Sequence, residues 1–307
     1  MAPVSHMHEV GEQPGRTVLC RTWYIRRVPS ADAPSETGSF LDRTDFSVLC
    51  EIEPPRRPAL DHVRNQIAAL KPVTDAFLIP DNHLGRATVS SIAVAREVAD
   101  QGCASVACVN ARDRNLLGFR RDLLTAAAYG VDHFLFVYGD APKEGRRAED
   151  LTVRGMMEEV RTFGTGSLFS GFPHFRIGTP VRVDRPLTWR ARADFLVTQI
   201  TPEIQALVRW RESLDFDGQV YAGVLVLASS RMAAQVNATI AGITVPQAVV
   251  EKLDGNPELG IDLALSQVEE IRDSGAFEGV HLVPVGRYRE VAERLRATKP
   301  AGPDAGI

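Results

Sequence analysis

Apolar residues recur along this chain in two alternating rhythms. Short runs rich in β-branched and aromatic residues read as strands: Phe46–Glu53, Ala76–Pro80, Ser105–Asn110, His133–Gly139, Phe175–Thr179, Phe195–Thr201, Gln219–Leu227 and Gly279–Val285. Stretches with apolar residues at helical spacing lie among them: Leu60–Leu70, Ser91–Ala99, Leu116–Tyr129, Val153–Phe163, Pro202–Leu214, Met232–Ile240, Ile261–Ile271 and Tyr288–Leu295. Such an alternation predicts an α/β fold, a (β/α)8 TIM barrel. An open doubly wound sheet is the alternative. That fold normally carries a glycine-rich turn after its first strand, and here the turn is Pro54-Pro-Arg-Arg-Pro58.

The pattern also marks the ends of the barrel, which is predicted over residues 45–298. Residues 1–44 read as a partly irregular extension, with a loop at Ser30–Ser39 and an added strand or short helix at Thr17–Arg26. Residues 299–307 read as a flexible tail. The glycine-rich Phe163–Gly171 could cradle a phosphate. Because it lies between a helix and the next strand, on the face remote from barrel chemistry, a plain flexible loop is the preferred reading.

Composition narrows the function classes. The 307 residues are 44% hydrophobic and 24% charged, an ordinary globular profile. A net charge of -4 argues against nucleic acid as the main partner. No apolar run is long enough to span a bilayer, and the N-terminal residues lack the pattern of a signal peptide. Cys20, Cys50, Cys103 and Cys108 lack metal-site spacing and read as core thiols of a reducing cytoplasm. The scattered histidines form no metal motif, so no metal site is expected.

In a barrel of parallel strands, chemistry sits at the C-terminal strand ends. Glu51 stands at such an end, because Pro54-Pro55 cannot continue a sheet ladder. It reads either as a proton donor or as a strand-end acid paired with an arginine such as Arg56. The other strand ends contribute Glu53, Asp81-Asn82-His83, Asn110, Arg112, Asp113, Arg114, Tyr138-Gly139-Asp140, Thr198-Gln199 and Ser229-Ser230-Arg231. Gln199, inside Leu196-Val-Thr-Gln-Ile200, reads as a polar group on a barrel strand. Left unpaired and buried, it would cost about 1–3 kcal/mol. Arg112, Arg114 and Arg231 read equally as binders of an anionic ligand group and as surface arginines. The set has no nucleophile pattern. It can donate a proton, hold a heterocycle and bind an anion, which suits a reaction whose hard step a bound cofactor carries.

Four segments, in order, resemble the 5,10-methylenetetrahydrofolate reductase family over most of Phe46 to Arg287. They are Glu51-Ile-Glu-Pro-Pro55; Asp81-Asn-His-Leu-Gly-Arg-Ala-Thr-Val-Ser-Ser91; Asn110–Gly130 running into His133-Phe-Leu-Phe-Val-Tyr-Gly-Asp140; and Ala193-Asp-Phe-Leu-Val-Thr-Gln199. The resemblance implies that Glu51 is the general acid and that Asp140 and Gln199 hold the pterin. With it, Glu53 and Arg231 become candidate substrate-binding residues. Asp81, Asn82, Asn110, Arg112, Tyr138 and Gly139 become candidate cofactor-binding residues.

The resemblance departs after strand five. Thr179–Ala193 lacks the Pro-Glu-x-His segment and the long helix with which flavin-bearing members hold FAD, and Pro180 and Pro186 break it further. The closing Leu-Asn-Arg is replaced by Val285-Gly-Arg287. This pattern is similar to the flavin-independent mycobacterial reductases. It implies NADH as the direct hydride donor, tetrahydrofolate as the substrate scaffold, a role in one-carbon metabolism, and no bound FAD. A flavin- or deazaflavin-dependent relative and a non-catalytic folate-binding relative are the alternatives. The choice between NADH and NADPH, and homo-oligomerisation, stay open.

Overall fold

The structure is a computed structural model that describes residues 39–143, 145–163, 174–239, 244–256 and 258–298. Eight parallel strands close into a barrel in chain order: β1 (Ser47–Glu51), β2 (Ala76–Ile79), β3 (Ala104–Asn110), β4 (His133–Val137), β5 (Arg176–Val181), β6 (Phe195–Thr198), β7 (Gln219–Leu225) and β8 (Gly279–Val283). Closure pairs β8 with β1, with Leu49 opposite His281. The helices are α1 (Asp61–Leu70), α2 (Ser91–Asp100), α3 (Leu116–Tyr129), α4 (Val153–Phe163), α5 (Ile204–Glu212), α6 (Ser230–Thr239), α7 (Gln247–Leu253), α8 (Leu259–Asp273) and α9 (Tyr288–Thr298). This is the predicted (β/α)8 barrel. The strand ends differ from the sequence reading by a few residues.

Successive side chains of a strand point to opposite faces, and the core divides accordingly. Leu49, Leu78, Val106, Cys108, Leu135, Val197 and Tyr221 pack inside the barrel. Val48, Cys50, Phe77, Val109, Phe134 and Val224 pack outward under the helices. One inward position needs glycine. A β-carbon at Gly178 would lie 2.3 Å from the Phe195 ring, which fills that side of the interior.

Residues 40–42, assigned to the extension from sequence, belong to the barrel instead. They form a 3-10 turn whose Phe40 ring packs on His133, Phe195 and Tyr221 and is 3% exposed. The turn stoppers the N-terminal end and leaves the C-terminal end as the open one. The expected features at Thr17–Arg26, at 299–307 and through most of Phe163–Gly171 lie outside the described residues, as does Cys20.

Two connections depart from regular β/α alternation. Between β5 and β6 there is a 3-10 turn, Thr188–Arg192, where a barrel usually carries a helix. Between β7 and β8 the described residues form three helices, and the shortest, α7, was not evident from periodicity. Seven residues hold too few repeats for a 3.6-residue pattern to show.

Candidate active site

The open end of the barrel holds a cleft of about 910 Å³. Glu51, Glu53, Asp81, Tyr138, Gly139, Asp140 and Gln199, from the ends of β1, β2, β4 and β6, all line it. The sequence-derived site residues are therefore largely brought together.

Glu51 ends β1 and its side chain is 14% exposed. Its partner is not Arg56. The Glu51 carboxylate lies 3.4 Å from Nε2 of His281, itself 12% exposed. That nitrogen makes no hydrogen bond among the described residues. A largely enclosed acid beside an imidazole with an unused nitrogen is suited to moving a proton. His281 was missed from sequence. Its signal was a histidine in the middle of the apolar strand Gly279-Val-His-Leu-Val283, the same anomaly that singled out Gln199.

Leu78, Leu135 and Val197 form an apolar floor beneath this pair, together with Cys108. Burial pushes the Cys108 thiol well above its ordinary value, and the Glu51 and Asp81 carboxylates push it the same way. It stays a neutral thiol and offers no nucleophile. Burial likewise pushes Cys50 up to about 12.

Glu53 is more exposed than Glu51. Its backbone is clamped by the buried Gln66, which accepts from Glu53 N–H at 3.0 Å and donates to Glu53 C=O at 3.2 Å. Gln199 also differs from expectation. β6 stops at Thr198, and Gln199 is exposed at the mouth rather than buried in the strand. The buried polar group there is Thr198, whose hydroxyl accepts from Gly223 N–H and donates to Gln199 C=O. Asp140 is exposed, and one of its carboxylate oxygens accepts from Leu84 N–H at 2.9 Å. Gly139 makes this turn possible. It sits at φ +77, and a β-carbon there would lie 3.1 Å from that of Asn110.

Other candidates stand behind the wall. Asn110 is fully buried and donates to Asp81 Oδ2 at 2.6 Å; Asp81 also accepts from Arg114 at 2.5 Å. Arg112 is 1% exposed and grips Asp113 with two bonds of 2.6 Å. It also donates to the backbone carbonyls of Asp140 and Asn82. Asn82 completes the network by donating to Asp113 at 2.8 Å. Arg112 and Arg114 are thus neither surface arginines nor groups that reach into the cleft. They tie the β2, β3 and β4 loops together. Burial opposes ionisation of Asp113, but hydrogen bonds from Arg112, Asn82 and Asn110 outweigh it and hold the acid at about 2. Arg231 is exposed and does not line the cleft, although Met232 and Gln235 of the same helix do.

The cations that do line the cleft were not foreseen as a group. Arg182, Arg185 and Arg190 come from the segment joining β5 to β6, and Arg56 from the segment after β1. No group of three or more potential metal ligands occurs among the described residues. None of the described helices is long and apolar enough to cross a membrane.

A family model, methylenetetrahydrofolate reductase, matches residues 186–298. That match supports the reductase family. It spans β6, β7 and β8, and so includes Gln199 and His281. No curated protein is significantly similar in sequence. Among solved structures, a Clostridium thermocellum protein described as binding two copies of 5-methyl-5,6,7,8-tetrahydrofolic acid is 14% identical. The match covers 83% of this chain and 95% of that one, with a TM-score of 0.58. The Bacillus cereus spore cortex-lytic enzyme SleL is 12% identical, with 82% and 74% covered and a TM-score of 0.50. At such identities the likeness is one of fold, which hosts many chemistries.

Proposed function

We propose that this protein is a methylenetetrahydrofolate reductase that passes hydride from NADH directly to 5,10-methylenetetrahydrofolate, without bound FAD, to give 5-methyltetrahydrofolate. The observation that carries the reading is the Glu51–His281 pair on the apolar floor of the cleft. The family match to 186–298 and the folate bound by the Clostridium protein agree with it.

The five-membered ring of the substrate is a poor hydride acceptor. Glu51 protonates N10, the N10–methylene bond breaks, and an N5 iminium cation forms. The spent carboxylate then stabilises that cation by charge. His281 stands where it can return a proton to Glu51 after turnover. Hydride added to the methylene carbon completes the methyl group. Asp140 and Gln199 suit the pterin edge. A carboxylate accepts from its amino and ring N–H groups, and an amide both donates and accepts. Direct transfer is favoured over a flavin intermediate by the β5–β6 connection, where a 3-10 turn stands in place of a flavin-holding helix.

Glu51→Gln keeps size and hydrogen bonding but has no proton to give. Its turnover should fall about 10²–10⁴-fold, with folding and NADH binding intact. Glu53→Gln is the internal control. Near-normal turnover in Glu51→Gln, with loss in Glu53→Gln, rejects the assignment. Direct transfer requires intersecting initial-rate lines. A stoichiometric flavin with parallel lines would reassign the donor while leaving Glu51 in place.

A further inference from the structure

Charge in the cleft is unevenly spread. Glu51, Glu53, Asp81 and Asp140 come from β1, β2 and β4. Arg182, Arg185 and Arg190 come from the single segment after β5. In a closed ring of eight strands in chain order, β5 stands diametrically across from β1. The arginine group therefore faces the Glu51 end of the mouth.

These arginines differ from solvated surface cations. The Arg190 guanidinium stacks over the Trp189 ring, 4.3 Å from its centroid, and its Nε donates to Pro180 C=O at 3.2 Å. Trp189 in turn packs against the core. Stacking and the Nε bond orient Arg190, and among the described residues its two outer nitrogens make no hydrogen bond. Arg182 is held by two bonds of 2.8 and 2.7 Å to Asp184, the one acid in the turn. Arg185 is exposed beside it. The whole segment carries four arginines, the fourth being Arg192, against Asp184 and Asp194, and so stays net positive, with at least one fork pre-oriented.

We propose that the β5–β6 segment is the anion-holding half of the cleft. It would grip a doubly charged group, a diphosphate or paired carboxylates, at the far end of a ligand whose reacting end lies at Glu51. Planar guanidinium forks match both anions, and charge-assisted bonds of this kind are the strong ones. The inference rests on the reductase reading only in taking Glu51 as the reacting end. Under that reading, two sources supply the anion: the diphosphate of the dinucleotide and the carboxylates of a glutamyl tail on the folate.

The test is calorimetric binding of inorganic pyrophosphate, NADH, and mono- and triglutamyl 5-methyltetrahydrofolate to wild type, to Arg185→Gln/Arg190→Gln and to Arg190→Lys. The double variant should lose at least about tenfold in affinity for one or more of these anions. Arg190→Lys keeps the charge but not the fork, and should fall between the two. Loss confined to NADH and pyrophosphate identifies the diphosphate. Loss of the preference for triglutamate identifies the carboxylates. Unchanged affinity for all four probes in a folded double variant overturns the proposal. If wild type binds neither NADH nor the folates, the reductase reading fails on its own. An arginine-dependent affinity for pyrophosphate would then still uphold the anion site.

Discussion

The two sides of the cleft use arginine in opposite ways. Behind the β2–β4 loops, Arg112 is buried, Arg114 is largely enclosed, and both are committed to Asp113, Asp81, Asp122 and backbone carbonyls. Across the mouth, Arg185 is exposed and Arg190 commits only Nε to a backbone carbonyl while stacking on tryptophan. A guanidinium whose donors are consumed inside the protein is scaffold. One held in place with donors to spare is available to a ligand. The same residue type, equally visible in sequence, is assigned to structure or to binding by what surrounds it.

Removing a scaffold arginine sharpens this contrast most. Arg112→Ala removes two of the bonds to Asp113 and both carbonyl contacts that tie the loops, and should destabilise by about 1–3 kcal/mol. Thermal unfolding should show a drop of several degrees, on the order of 5 °C. Were Arg112→Ala to melt like wild type and lose only ligand affinity, the buried network would be part of the binding site and the contrast would fall.

Gln199→Ala probes the mouth in the opposite sense. The side chain is exposed, so the melting point should hardly move. Folate affinity should fall about tenfold while NADH binding stays unchanged. A lower melting point with folate affinity intact would mark Gln199 as structural.

Acid pH probes the scaffold side alone. Asp113, held at about 2 against an ordinary 3.8, adds stability that is fully present above the ordinary value. That stability is lost as pH falls from about 4 toward 2. Urea midpoints measured across that window should decline in wild type and decline less steeply in Asp113→Asn. Identical slopes would mean that the network does not hold Asp113 in its charged form.

The smallest expected effect concerns the rim. Val285 lines the cleft at φ 49, a left-handed conformation costly for a β-branched residue. Val285→Gly should raise stability by up to about 1 kcal/mol in urea unfolding. A loss would show that its side-chain packing outweighs the backbone strain.

Much of this molecule was determined by local sequence. Alternating apolar positions decide which face of each strand is buried, so eight strands and their helices, and hence the barrel, were readable. Pro54-Pro55 ends β1 within a few residues of Glu51 because proline cannot extend the ladder, and that alone puts the acid at the open end. The missing helix after β5 was legible from Pro186, which does not fit a helix interior, whereas Pro180 lies in β5 itself. Pairing and burial were not legible, because they depend on contacts between residues far apart in the chain. His281 meets Glu51 only because closure lays the last strand beside the first. Arg112 became scaffold once β2, β3 and β4 brought Asp113 and two carbonyls to its fork. Gln199 became a mouth residue because β6 stops one residue short of it. The arginines after β5 gained their shared direction from a turn pinned at Trp189, a constraint no periodicity records.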